Sequence, residues 1–168
     1  MKQINLLVIF IFLAISSHGQ SISTEFYKLY NEYRAEHQLT ILEVDSSLEA
    51  AASYHSMYLM MLNNSGKVTP FYISHYEEND VDSITEYFSP SDRVKAKSTL
   101  RRYHTGENLT GFYGKYFDSG DEILQMWINS SVHNEILLSP KNGKMGLGIV
   151  EGVINGRKSM IATLVVTD

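Results

Sequence analysis

The side chains able to do chemistry in this chain are histidines, carboxylates and serines, because no cysteine occurs among the 168 residues. There is therefore no thiolate nucleophile and no closed zinc site of the cysteine type, and the histidine spacings match no zinc finger. The His-Glu-x-x-His pattern of metalloproteases is absent as well. Ser130 and Ser131 stand close to His133, but no nucleophile elbow surrounds them and either suits a helix start. An open site remains available: two neutral imidazoles from separate segments, brought together by the fold, form a borderline-soft nitrogen pair suited to zinc or copper. A nearby carboxylate would ligate the ion or orient a bound water.

Other chemical residues read more simply. His55 shares a helical face with Leu48, Ala51, Ala52, Leu59 and Leu62, the setting of a hydrogen-bonded core histidine. The acidic stretch Glu77, Glu78, Asp80, Asp82 and Glu86 lacks the spacing and glycine of a calcium loop and reads as solvated. Arg93, Lys95, Lys97, Arg101 and Arg102 would face it in exposed pairs of little energetic worth.

The elements that must position these groups follow from periodicity. Phe26, Leu29, Tyr30 and Tyr33 predict a helix from Ser23. A second helix opens at Asp45 or Ser46, ends at Asn63-Asn64-Ser65-Gly66, and carries the run Met57 to Leu62, apolar nearly all round. That run reads as a buried helix end, with a lipid-accommodating groove as the sharper alternative. Val68 to Ser74 suits a short extended segment, and Ser89-Pro90 starts a helix. Gly106 to Tyr113 is expected as a strand with Glu107 inward, Ser119 caps a further helix, and a short helical turn runs on to Leu138. Met145–Ile154 and Ser159–Val166 form a hairpin about Asn155-Gly156. The pattern is α+β with one mostly antiparallel sheet in a single domain.

Composition limits the setting. Lys2, the apolar run Leu6 to Ile15 and Ser17-His18-Gly19 read as a secretion signal over residues 1–19, leaving residues 20–168 as the domain. The run is too short to span a bilayer and no lipid-anchoring cysteine follows. Export without disulfides points to a bacterial periplasm or medium. The formal charge of −5 becomes one unit more negative once Lys2 is removed, which argues against nucleic acid as a partner. Asn63, Asn108 and Asn129 head glycosylation sequons, a pattern frequent by chance.

Two motifs carry a family resemblance: Gly106-Glu107-Asn108-Leu109, and the stretch from Trp127 through Ser130-Ser131-Val132-His133-Asn134 to Leu137. Together they resemble the CAP superfamily (cysteine-rich secretory proteins, antigen 5 and pathogenesis-related 1 proteins) in its compact bacterial, SCP-like extracellular form. The resemblance extends over nearly all of residues 20–168 and implies a three-layer α-β-α sandwich with helices on both faces of the sheet. It also implies a cleft of two histidines and two acids whose histidines bind a divalent metal such as zinc. The matching positions are His75, Glu107 and His133, with His104 as a rival for the place of His75; the second acid would fall at Ser130, so the set is incomplete. Asn108 and Trp127 are implied to hold strand and helix together.

Three functions fit. The first is a binding domain whose cleft takes a metal and a sterol, fatty acid or peptide. The second is a hydrolase of peptides or esters in which His75 and His133 hold a metal-bound water and Glu107 is the general base. The third, suggested by 11 tyrosines, is a protein-interaction module at the cell envelope.

Overall fold

The computed structural model describes residues 4–77, 89–98 and 104–168, with side chains from residue 19 onward. Glu78, Asp80, Asp82, Glu86, Arg101 and Arg102 lie outside the described residues. In chain order the elements are α1 (Ile4–Glu36), β1 (Glu43–Val44), α2 (Ser46–Asn64), α3 (Pro90–Lys97), β2 (Thr105–Tyr113), α4 (Gly120–Ile128), α5 (Ser131–Leu137), β3 (Lys144–Ile154) and β4 (Arg157–Thr167).

Local chemistry explains the boundaries. Asp45 accepts from the Ser47 amide, Ser89 from that of Asp92 and Ser119 from that of Glu122, each supplying one of the bonds a helix start lacks. Asn155 and Gly156 both take positive φ, 49° and 77°, as a two-residue turn between twisted strands requires. Helix α1 begins at Ile4, well before the expected start at Ser23, so the expected cleavage point lies within it. Side-chain packing begins at Ile22, which is buried. Among the described residues no helix is long and apolar enough to cross a membrane.

The sheet runs β1-β3-β4-β2, with β1 parallel to β3 and the other pairs antiparallel. Alternation along β4 divides the core, since successive strand residues face opposite sides. Met160, Ala162, Leu164 and Val166 join Phe26, Tyr30 and Trp127 under α1 and α4. On the other face Ile161 packs with Tyr58, Leu59 and Leu62 of α2, and Val165 with Leu48 and Val94 of α2 and α3. The result is the expected α-β-α sandwich.

Helix α2 lies very close to β3. A Cβ on Gly146 would stand 2.2 Å from the Glu49 nitrogen, and one on Gly148 would stand 2.1 Å from that of Ser53, so only glycine permits this approach. Edge strand β2 is tied to the opposite layer by two side chains. The Trp127 indole donates to the Leu109 carbonyl at 3.2 Å, and the Asn108 amide to the His133 carbonyl at 3.0 Å. Asn63 and Asn108 are buried, which removes two of the three sequons as glycan acceptors.

Candidate functional site

The approach to His75 has neither helix nor strand, so its main-chain polar groups need partners from elsewhere. Buried side chains supply them in turn. The Asn63 amide donates to the Tyr72 carbonyl and accepts from the Tyr72 amide, at 2.8 and 2.7 Å. His55 Nε2 donates to the Ser74 carbonyl at 2.8 Å. Both terminal nitrogens of Arg93 donate to the His75 carbonyl, at 3.3 and 3.2 Å. An irregular segment is thereby held against α2 and α3.

Register fixes Glu107. It pairs with Val165, whose side chain belongs to the α2–α3 layer, while the next residue, Asn108, pairs with Leu164 on the other face. The carboxylate of Glu107 is buried with both oxygens taken: Oε1 accepts from His75 Nδ1 at 3.0 Å and Oε2 from Arg93 at 2.5 Å. Burial pushes this carboxyl upward, but the His75 hydrogen bond and the charges of Arg93 and His55 outweigh it, leaving the group below the usual carboxylate range. With Nδ1 committed, the lone pair of His75 sits on Nε2, and this side chain is 43% exposed.

His133 arrives from the opposite layer, on α5. Its Nδ1 lies 2.9 Å from Ser130 Oγ. Burial, and then the charge of His75, hold His133 below its ordinary value. Ser130 occupies the N-cap position of α5 but makes no capping bond, contrary to the helix-start explanation; its hydroxyl meets His133 instead. Glu107 orients His75 and not His133, so Ser130, His133 and Glu107 do not form a triad.

His104 is elsewhere. Its Nε2 lies 3.1 Å from Asn142 Oδ1, and it lines a separate cavity of about 460 Å³ with Glu135, Ile136 and Lys141.

Three residues of this network are unexpected. Glu77 belongs to the acidic stretch expected to be solvated, and Arg93 to the basic run expected in exposed pairs; both are fully buried, with Arg93 donating to Glu77 Oε1 at 3.0 Å. His55 is the expected hydrogen-bonded core histidine, yet its Nδ1 partner is this same Glu77 oxygen, at 3.0 Å. Glu77 thus supplies a second buried acid in the network around His75, although Ser130 occupies the position where one was expected. The only sequence signal was its place two residues after His75.

The donor set is small. Among the described residues no group of three or more His, Cys, Asp or Glu side chains is arranged to hold a metal ion. Nδ1 of His75 and Nδ1 of His133 each have a hydrogen-bond partner, and both oxygens of Glu107 are engaged. A family model for the cysteine-rich secretory protein (CAP) family matches residues 27–156. The chain belongs to that family.

Solved structures with the same fold include proteins from bacteria. An extracellular SCP-domain protein from Bacillus anthracis is 22% identical with a TM-score of 0.62, over 88% of this chain and 40% of its own. An outer surface protein from Borrelia burgdorferi is 20% identical with a TM-score of 0.58, over 84% and 88%. A cysteine-rich secretory protein from Staphylococcus aureus is 18% identical with a TM-score of 0.54, over 89% and 38%. The chain thus spans 40% or less of the first and third of these proteins, and likeness at this level carries the fold alone. Curated proteins gave no match.

Proposed function

We propose that this is an exported CAP domain whose cleft binds one divalent metal ion, zinc foremost, through Nε2 of His75 and Nε2 of His133. The observation that carries this reading is the His75–Glu107 bond, which commits Nδ1 and leaves Nε2 as the outward lone pair. A carboxylate behind a ligating imidazole is a recurrent arrangement that fixes the ring and raises its basicity. Glu107 is then an orienting group behind His75, since its carboxylate is buried and already accepts from His75 and Arg93. His133 serves in the same way when its Nδ1 hydrogen donates to Ser130 Oγ. An ion held by two imidazoles offers Lewis-acid positions to a carbonyl or carboxylate ligand.

Binding is the supported class of function, and no reaction is assigned. The apolar run Met57 to Leu62 gives little support to a lipid groove, since Tyr58, Leu59, Met60 and Leu62 are buried in the core. Tyr76 and Val132, each beside one of the histidines in sequence, are 55% and 69% exposed, and a peptide carrying an apolar side chain is the ligand class such exposed apolar residues favour. Export is supported by the signal-like residues 1–19 and by the extracellular and outer-surface descriptions of the neighbours. Calorimetric zinc titration of chelator-stripped protein tests the reading: one ion should bind the wild type, and none a His75→Ala/His133→Ala double variant. Equal binding by both, or binding by neither, refutes it.

A further inference from the structure

We infer that Arg93 is the positioning residue of the cleft, holding His75 at both ends: the main-chain carbonyl directly, and the imidazole through Glu107. The same guanidinium reaches the His75 carbonyl at 3.3 and 3.2 Å, Glu107 Oε2 at 2.5 Å and Glu77 Oε1 at 3.0 Å. The two terminal nitrogens of a planar fork divide these acceptors between them; an ammonium is a compact point charge and does not reproduce that spacing.

The chain is built to put that fork in place. Ser89 caps α3, Pro90 takes its first turn, and Val94 packs with Leu48, Ala51, Ala52 and Val165. Arg93 precedes Val94, so the packing that anchors α3 also sets the depth of the guanidinium. Burial of a cation here is offset by Glu77 and Glu107, both buried. Glu77 also accepts from His55, whose other ring nitrogen holds Ser74. The carbonyls of Ser74 and His75 are therefore fixed by one connected set of side chains, and Arg93 links that set by a direct hydrogen bond to Glu107, on the far side of the His75 ring.

The consequence for metal affinity rests on the reading proposed above, whereas the consequence for the His75 tautomer does not. Long-range ¹H–¹⁵N spectra of the wild type, Arg93→Lys and Arg93→Gln, recorded at pH 8 without metal and then during zinc titration, separate the two. In the wild type the His75 hydrogen resides on Nδ1. In Arg93→Gln it moves toward Nε2, the tautomer a free imidazole prefers, and the zinc dissociation constant rises about 10- to 100-fold. Arg93→Lys falls between, and an unchanged Trp127 indole resonance reports an intact sheet–helix junction in each variant. A wild-type His75 with its hydrogen on Nε2 overturns the inference, and this result needs no variant to fold. A folded Arg93→Gln with unchanged tautomer and unchanged affinity overturns it equally. A tautomer shift in a protein that binds no zinc leaves the positioning role standing and removes the metal reading.

Discussion

His55 Nδ1 lies 3.0 Å from Glu77 Oε1, and neither side chain is exposed to solvent. His55 Nε2 faces the Ser74 carbonyl, which only accepts, so that nitrogen carries a hydrogen. The buried group of His55, Glu77, Arg93 and Glu107 sets two basic side chains against two acidic ones, which offsets the cost of burying all four.

Removing one member should expose that balance. His55→Ala leaves Glu77 and the Ser74 carbonyl without their partner, and a loss of about 3 to 5 kcal/mol is expected, as for other broken buried pairs. Urea unfolding measures it. A loss under about 0.5 kcal/mol, the scale of an ordinary surface substitution, would show that the buried charge balance is of no importance.

The close approach of α2 to β3 makes a second expectation. Gly148→Ala places a methyl group against the main chain of Ser53, with no flexible side chain to yield. Overpacking of this kind costs about 1 to 3 kcal/mol, and the displaced helix carries His55 and Asn63 away from the His75 segment. Unfolding curves coincident with wild type would contradict the packing described.

Acid should act through two groups. Glu107 is held below its ordinary value of 4.5, so its contribution is present above that pH and is lost as pH falls through the lower folded-state value. His133 is held below 6.5, so the unfolded chain takes up that proton first and stability begins to fall as pH drops under 6.5. A His133→Gln variant should lack the decline that starts there. Superimposable stability–pH profiles for wild type and variant would refute the assignment.

Much of this was legible in the sequence, and the omissions share a cause. The Asn155-Gly156 turn, the caps at Asp45, Ser89 and Ser119, and the inward Glu107 are local signals, set by a few neighbouring residues. Trp127 and Asn108 do link helix and strand. Glu77 and Arg93 were misplaced because a run of charge looks solvated until its counter-charges are known, and those lie 16 and 14 residues apart along the chain. Strand β1 escaped notice because two residues carry no period, and it exists only through its pairing with Lys144 and Met145. His75 could not be separated from His104 by sequence, since the difference between them is which one the fold brings to Glu107.

Ser130 distinguishes binding from hydrolysis. If its hydroxyl only steadies His133, Ser130→Ala should keep zinc binding within about 10- to 100-fold of wild type, the usual span for a group behind a ligand. A hydrolase using Ser130 as nucleophile would show ester turnover abolished by the same change, and finding such turnover would contradict a pure binding role.

The central claim is that His75 and His133 hold one ion between them, and ¹⁵N spectra of the ring nitrogens during zinc titration test it most directly. Nε2 of His75 and Nε2 of His133 should shift together and saturate at one equivalent, while His104 and His55 stay in place. Saturation of only one of the two, or a response at His104 in place of His75, would contradict the account.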